Sequence, residues 1–222
     1  FKIKKFIKCS YNENLIQKLK AIVYKNEVRI TTLNDNIYPK ALKYYDDSPC
    51  VIYYKGDISK VNYNRNAAIV GSRNCSAYGK SVAASISKEL SERGVNIISG
   101  LARGIDAAAQ ESCIKSHGFT CGILGCGIDI IYPKDNSRLF HQIYENGCVI
   151  SEFVPGTKPF FYNFPIRNRL ISGISDIVIV VEAGEKSGSL ITAGLALDQG
   201  KDVMAIPGSL FSDNSKGTNK LL

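Results

Sequence analysis

Residues 67–106 read AAIVGSRNCSAYGKSVAASISKELSERGVNIISGLARGID, and the order of residue types in this stretch predicts a fold class. An apolar, β-prone run at residues 67–70 is followed by a turn of small residues and then by helical spacing over residues 79–93. A second apolar run at residues 96–99 leads through another glycine-rich turn into a helical stretch at residues 105–117. Strands that alternate with helices in this way predict right-handed crossovers and a parallel sheet.

The same alternation continues towards the end of the chain. Further apolar runs predict strands at residues 120–124, 149–151, 177–182 and 203–206. We therefore expect an α/β fold, with a Rossmann-like, doubly wound and mostly parallel sheet over residues 66–222. The composition agrees with this expectation, because a chain of 222 residues with 45% apolar and 22% charged residues can bury a large core.

The first 65 residues depart from this pattern. Residues 1–25 predict a partial N-terminal helical segment, and residues 26–65 predict a small extension that leads into the sheet domain and is broken by Pro39 and Pro49. Of the 28 basic residues 13 lie in this part, against 6 of the 20 acidic ones, so most of the net charge of +8 lies here. The basic end is either an arm that meets nucleic acid or a solvated face.

Several classes of protein are disfavoured by the sequence. No run approaches the ~18 apolar residues of a membrane span and no charged-then-apolar leader opens the chain, so we expect a cytoplasmic protein without membrane association. The 7 scattered cysteines predict reduced, mostly buried thiols and no metal site. The turn at residues 71–76 lacks G-x-G-x-x-G and the chain has no Walker A sequence, so we expect no cofactor, no dehydrogenase and no ATP hydrolysis.

The turns that follow the predicted strands are rich in glycine and serine. In an open α/β sheet the carboxyl ends of parallel strands share one edge, and ligands bind there. Glycine lets backbone N–H groups approach a ligand, serine adds hydroxyl donors, and a helix N-terminus favours negative charge. With Arg73 and Arg103 nearby, these turns together predict an anion-binding edge, although any single one can equally be a tight turn only. We name them the strand-end loops: residues 71–73, 99–106, 125–127 and 187–189.

Residues 151–169 read SEFVPGTKPFFYNFPIRNR and interleave aromatic with basic residues. Such interleaving suits bases that stack on rings while cations hold the backbone of a single strand. We expect at least half of the rings to be buried in the core, and we give more weight to the cations than to any single ring. The rings are Phe160, Phe161, Tyr162 and Phe164, and the cations are Lys158, Arg167 and Arg169.

Taken together, these motifs resemble the bacterial DNA-processing protein A family, which is also called Smf. The resemblance covers roughly residues 30–222. The matching sequences are VGSRxxSxYG at residues 70–79, SGLARGID at 99–106, GxGxDxxYP at 125–133, SE at 151–152, FPxRNR at 164–169, VEA and SGSLxTA within 181–193, and PG at 207–208.

The resemblance implies an extended Rossmann-like fold that binds single-stranded DNA, forms a homodimer and loads a RecA-type recombinase onto incoming DNA during natural transformation. This is a mediator activity and not a catalysed reaction. Phosphate contact is the implied role of most of the site residues, and Phe161 joins them as a ring for stacking. Carried over motif by motif, the others are Gly71, Ser72, Arg73, Ser99, Gly100, Arg103, Gly104, Lys158, Arg167, Asn168, Arg169, Ser187, Gly188 and Ser189.

Two other functions stay open on the residues alone. A sensor that binds a small nucleotide would use the same loops. The sheet also resembles that of nucleotide phosphoribohydrolases, whose P-G-G-x-G-T-x-x-E loop supplies a glutamate for glycosidic cleavage. The nearest alignment puts Thr192 at the position of that glutamate, which argues against hydrolysis. Asp106, Asp129 and Glu152 are assigned to capping and turn roles.

Overall fold

The computed structural model describes residues 13–222, which form one eight-stranded sheet. All six strands predicted from the sequence are present, and their ends lie within two residues of the predicted positions. The largest difference concerns the strand predicted at residues 177–182, which ends at Val180, so that residues 181 and 182 belong to the loop that follows it. The strands are β1 (Arg29–Thr32), β2 (Val51–Gly56), β3 (Asn66–Val70), β4 (Asn96–Ser99), β5 (Thr120–Ile123), β6 (Cys148–Ser151), β7 (Ile177–Val180) and β8 (Asp202–Ala205).

The sheet is mostly parallel and has the order β1-β2-β6-β5-β4-β3-β7-β8. Six neighbouring strands run parallel, in the order β6, β5, β4, β3, β7 and β8, whereas β2 pairs antiparallel with both β1 and β6. From β3, the chain first adds β4, β5 and β6 on one side and then β7 and β8 on the other. This is the predicted Rossmann-like fold, and its reversal of strand order puts a crevice at the carboxyl ends of β3 and β7.

Helices cover both faces of the sheet. Alternate side chains of β3 point to opposite faces. Ile69 packs with α2 (Ala77–Glu92) and α3 (Ile105–Lys115), while Ala68 and Val70 pack with α5 (Asn163–Ile174) and α6 (Gly188–Asp198). Short 3₁₀ turns occur at Lys40–Tyr44, Ile58–Asn62, Lys134–Asn136 and Asp213–Ser215. The α-helices are α1 (Glu13–Lys25), α2 (Ala77–Glu92), α3 (Ile105–Lys115), α4 (Ser137–Asn146), α5 (Asn163–Ile174), α6 (Gly188–Asp198) and α7 (Lys216–Asn219).

The N-terminal part of the described chain continues the sheet. Strand β2 pairs with β6 so that Tyr53 lies opposite Ser151, and Val28, which follows α1, is buried against a cluster that includes Phe140 of α4. The first twelve residues of the predicted helical segment lie outside the described residues. The division of the chain at residues 25 and 65 stays a prediction.

The described residues also show features that concern membrane spans, metal sites and the cysteines. Between residues 13 and 222, no helix combines the length and the apolar character that crossing a membrane requires. The same residues contain no group of three or more His, Cys, Asp or Glu side chains that could hold a metal ion. Burial raises the pKa of the Cys113 and Cys126 thiols to about 11. As expected, most of the described thiols are free and buried: Cys113, Cys121, Cys126 and Cys148.

Candidate nucleic-acid interface

Three of the four strand-end loops line an open cavity of about 710 Å³ at the reversal of strand order, and the fourth, residues 125–127, lines an adjoining recess with Gly125 and Cys126. Gly100 and Arg103 also line this recess of about 200 Å³, which shares Arg73 and Arg167 with the cavity. Four predicted site residues line neither volume: Ser99, Gly104, Lys158 and Arg169. The structure thus brings together most of the predicted set, and the cavity itself is lined by Gly71, Ser72, Arg73, Phe161, Arg167, Asn168, Ser187, Gly188 and Ser189.

Arg73 presents an exposed cation to the cavity. Its guanidinium carbon lies 5.3 Å from the centroid of the Phe164 ring, and no carboxylate of residues 13–222 forms an ion pair with it. The backbone beside it is fixed, because the N–H of Ser72 donates to the carbonyl of Glu182 over 2.7 Å. A cation that the protein leaves without a carboxylate is available to a phosphate oxygen.

Two predicted residues of the loop after β4 contact β3 or the loop that follows it and do not line the cavity. Gly104 has a φ of +77°, and a Cβ there would lie 2.3 Å from the carbonyl oxygen of Ser72, so this close approach of the two loops requires glycine. Ser99 is buried, and its hydroxyl donates to the carbonyl of Ile69 in β3 over 2.7 Å. Both residues therefore contact other parts of the protein, where the sequence predicted contact with a phosphate.

The predicted phosphate contact Arg167 is buried, with 4% of its surface exposed. Its guanidinium donates to the carbonyls of Gly100, over 2.8 Å, and of Ile123. Burial lowers the pKa of Arg167 to about 10, and the carboxylate of Asp106 opposes this shift, so the side chain stays protonated at neutral pH. Asp106 itself accepts the N–H of Gly100 over 3.0 Å. Arg167 therefore ties the loop after β4 to the end of β5.

Two other predicted arginines have carboxylate partners. Arg169 pairs with Glu152 over 2.6 Å and with Asp47 over 3.1 Å, and only 15% of its side chain is exposed. Arg103 pairs with Asp135 over 2.7 Å, but both of these side chains are mostly exposed. Exposed ion pairs contribute little free energy, so Arg103 can exchange its partner for a phosphate, whereas Arg169 is held away from the cavity.

The last strand-end loop begins α6. The hydroxyl of Ser187 accepts the N–H of Ser189 over 3.3 Å, and the hydroxyl oxygens of the two residues lie 2.7 Å apart. Asn168 of α5 braces this turn, because its amide donates to the carbonyl of Gly188 over 3.2 Å. The positive end of the helix dipole and the serine hydroxyls thus line the cavity on the side opposite the loop after β4.

The aromatic loop (residues 158–164) carries exposed rings. Phe161 is 84% exposed, Phe160 45% and Tyr162 51%, so the expectation that at least half of the rings are buried is wrong. The loop follows β6 and runs into the first turn of α5, whose residues Leu170, Ile171 and Ile174 belong to a buried core cluster. The rings of Phe160 and Tyr162 are stacked, with centroids 5.4 Å apart and planes at 8°. Exposed rings of this kind can stack on unpaired bases.

Several lining residues were not among the predicted site residues. Tyr132 and Phe164 lie within the quoted motifs, and Lys186 adjoins the S-G-S turn, so the sequence carried a signal for each of them. Asn214 comes from the segment after β8, and its amide donates to the carbonyl of Asn74 over 2.9 Å. No local motif marks Asn214, because only the folding of the chain brings it to the loop after β3.

The carboxylates near the cavity have structural partners. Asp129 accepts the N–H of Gly156 over 2.8 Å, and Glu152 pairs with Arg169 over 2.6 Å. Thr192, which stands where a phosphoribohydrolase would need its glutamate, lines the cavity with a nearly buried side chain. Its hydroxyl lies 3.5 Å from the carbonyl of Gly188. Asp129 thus has the backbone partner that a turn role requires, whereas Glu152, for which a capping or turn role was predicted, forms an ion pair instead.

Similar proteins are found by sequence and by structure. The DNA processing protein DprA of Bacillus subtilis is 46% identical over 185 residues, which are 83% of this chain and 62% of that protein. The X-ray structure of DNA processing protein A from Streptococcus pneumoniae matches with a TM-score of 0.81 and 40% identity, over 87% of this chain and 68% of that one. DNA processing protein A from Helicobacter pylori, a structure that gives insight into its single-stranded DNA binding mode, matches with a TM-score of 0.79 and 34% identity, over 87% of this chain and 86% of that one.

The curated relatives are longer than this chain, which spans 62% of the Bacillus subtilis protein and 66% of the Streptococcus pneumoniae protein. A family model described as DNA recombination-mediator protein A matches residues 29–222. This range begins with β1 and includes every strand-end loop and the aromatic loop, and it confirms the resemblance that the sequence motifs indicate. The chain therefore belongs to the DNA recombination-mediator protein A family.

Proposed function

We propose that this chain binds single-stranded DNA across the cavity and acts as a recombination mediator. In this proposal it protects incoming DNA in the cytoplasm, works as a homodimer and loads a RecA-type recombinase during natural transformation. The observation that carries the DNA-binding part is the combination of Arg73, an exposed cation with no ion-pair partner among residues 13–222, with exposed rings beside one open cavity. Recombinase loading and dimer formation rest on membership of the family.

The cavity suits the phosphates of the strand. In the part of the chain that the structure describes, Arg73 has no carboxylate partner. Arg103 can exchange its exposed partner Asp135 for a phosphate. On the other side, the start of α6 offers the hydroxyls of Ser187 and Ser189 and the positive end of its helix dipole. Several donors spread along one open cavity fit a chain of phosphates. Lys186 adds an exposed cation to the cavity lining, and the exposed Lys158 precedes Pro159, which also lines the cavity.

The aromatic loop suits the bases. Phe161 has its ring almost fully exposed, and it lines the cavity beside the cations. A base can stack on such a ring in single-stranded DNA, where its faces are free, but not in a duplex, where neighbouring bases cover them. The position of the rings therefore favours single-stranded over double-stranded DNA.

A mediator needs no catalytic step. In this role the chain holds the strand by its phosphates and keeps its bases apart from complementary strands. A reaction at the glycosidic bond would need a carboxylate beside the bound nucleotide. The buried Thr192 stands at the position that corresponds to that carboxylate, so we propose a binding protein and not an enzyme.

The test is a fluorescence-anisotropy titration of a labelled poly-dT oligonucleotide at two salt concentrations, with duplex DNA and a mononucleotide as competitors. We expect tight binding that weakens steeply with salt, because each phosphate contact releases counterions. We also expect neither competitor to displace the oligonucleotide. The recombinase step is then tested by adding a RecA-type protein and measuring its filament formation on DNA coated with a single-strand-binding protein.

Two results would contradict the proposal. Binding of the mononucleotide without binding of the oligonucleotide would make the cavity a small-ligand pocket, as in a nucleotide sensor. Release of free base from a nucleoside monophosphate, above a heat-inactivated control, would indicate a phosphoribohydrolase.

A further inference from the structure

We propose that Phe164 is a positioning residue for Arg73. Its ring holds the guanidinium of Arg73 at the mouth of the cavity, where that group meets a phosphate, although the ring itself binds no phosphate. The inference rests on the proposed function, because it concerns how the same cavity holds single-stranded DNA.

The ring of Phe164 lies close to two guanidinium groups. The guanidinium carbon of Arg73 is 5.3 Å from the ring centroid and that of Arg167 is 5.9 Å from it. Both distances fall within the ~6 Å over which a cation is attracted to the face of an aromatic ring. Arg167 is buried and bonded to backbone carbonyls, so the ring lies between the exposed Arg73 and a neighbour that the protein holds in place.

The position of the ring is set by the sheet. A Cβ at Gly125, just after β5, would lie 2.7 Å from Cδ1 and 3.0 Å from Cε1 of Phe164, so the ring rests directly on this glycine. The ring of Tyr132 packs against Phe164 from another side, with centroids 5.5 Å apart. Phe164 is therefore seated between a backbone segment and a second ring.

Arg73 has few other restraints. Its side chain is exposed, and within residues 13–222 it has no ion-pair partner. A long side chain that is free in solution loses conformational entropy when it binds a phosphate. The contact with Phe164 reduces this loss, since it orders the guanidinium before DNA arrives. The negative face of the ring also offsets the repulsion between Arg73 and the nearby Arg167.

The experiment compares Phe164→Leu, Phe164→Tyr, Arg73→Ala and the double variant Arg73→Ala/Phe164→Leu in the poly-dT titration. We expect Phe164→Leu to weaken binding by about three- to tenfold, and Phe164→Tyr to keep nearly the affinity of the original chain. The double variant should bind as weakly as Arg73→Ala alone, because the ring acts through Arg73. Phe164→Leu should also lower the slope of log affinity against log salt by about one, as Arg73→Ala does.

A matched control removes a similar contact far from the cavity. Tyr63 lies before β3, at the opposite edge of the sheet, and the Nζ of Lys40 is 5.9 Å from its ring centroid. Tyr63→Leu should therefore leave the DNA affinity and the salt slope unchanged. Phe164→Met serves as a second non-aromatic variant if Phe164→Leu does not fold, which circular dichroism will show.

The outcomes separate this inference from the proposed function. If the original chain does not bind poly-dT, the proposed function fails and the inference fails with it. If the original chain binds and the folded non-aromatic variants keep its affinity and salt slope, the inference alone is overturned. A loss of affinity that adds to that of Arg73→Ala, with an unchanged salt slope, would equally overturn it, because the ring would then act independently of Arg73.

Discussion

Arg73 differs from the other arginines around the cavity in having neither a carboxylate partner within the described chain nor a buried guanidinium. Arg103 and Arg169 are ion-paired, and Arg167 is covered and bonded to backbone carbonyls. A charge can attract a phosphate strongly only where the protein has not already neutralised it. We therefore expect the arginine contribution to the proposed DNA binding to be concentrated at Arg73, with Arg103 in second place.

We expect Arg73→Glu to lower the affinity for poly-dT by at least about tenfold, because it removes a charge-assisted hydrogen bond of about 1.5–3 kcal/mol and adds repulsion. Fluorescence anisotropy at fixed salt measures the change, and circular dichroism checks that the variant is folded. A change below about threefold in a folded variant would show that the strand does not pass over this loop.

Asp135 competes with DNA for Arg103. The exposed pair is 2.7 Å long and such pairs are worth about 0–1 kcal/mol, so Asp135→Asn should raise the affinity for poly-dT by about two- to threefold. Glu89→Gln is the control, because it removes a comparable exposed pair with Arg93 on α2. The gain should vanish in an Arg103→Ala background, and a gain that persists there would contradict the competition.

At the scale of elements, the cavity is built where strands change into helices. The loop after β3 bonds to the residue that follows β7, and the N–H of Ile105 at the start of α3 donates to the carbonyl of Ser72 over 3.2 Å. The start of α6 closes the other side. Because each loop is bonded to its neighbour, the donors around the cavity are ordered before a ligand binds, which lowers the entropy lost on binding.

The close contact between the loops after β3 and β4 requires glycine at position 104. Gly104→Ala places a Cβ 2.3 Å from the carbonyl of Ser72 at a φ of +77°, and we expect it to lower the free energy of unfolding by about 1–3 kcal/mol. Urea unfolding followed by circular dichroism measures the change. Gly194→Ala is the matched control, because Gly194 lies within α6 with no atom near its Cβ position.

The control should raise the free energy of unfolding by about 0.5–1 kcal/mol, since alanine favours a helix over glycine. If both variants change stability in the same direction and by the same amount, the close approach of the two loops is not what requires glycine at position 104.

At the scale of the whole molecule, the reversal of strand order between β3 and β7 brings the loops together at one edge of the sheet. The cavity is therefore formed by short segments drawn from residues 70–214, and a ligand in it contacts parts of the chain that only folding brings together. Anything that binds only the folded state stabilises the entire fold by mass action.

We therefore expect poly-dT at one hundred times its dissociation constant to stabilise the protein by about 2.7 kcal/mol. For a chain of this size the melting temperature should rise by about 5–10 °C. Differential scanning fluorimetry measures the shift, and Arg73→Glu should reduce it to about half or less at the same concentration of oligonucleotide, because a tenfold loss of affinity leaves about 1.4 kcal/mol of stabilisation. A mononucleotide that produces the same shift as poly-dT would favour a small-ligand site.

The fold class and the position of the loops could be predicted from the sequence because both are written in local patterns. Runs of apolar residues predicted β3 to β8, and the glycine and serine turns after them predicted where the loops lie. The motif around Arg73 and the FPxRNR motif also identified the family. Each of these signals lies within a few neighbouring residues, where backbone propensity and side-chain spacing act directly.

Which predicted residues are free to bind a ligand was decided by contacts between distant parts of the chain. Arg169 is neutralised by Asp47, which is 122 positions away, and Arg167 is bonded to Gly100, which is 67 positions away. Phe160, Phe161 and Tyr162 are exposed, whereas apolar residues of α5 such as Leu170 and Ile171 are buried in the core. Charge neutralisation and burial depend on which side chains meet in three dimensions, so similar arginines in one sequence acquire different roles only when the chain folds.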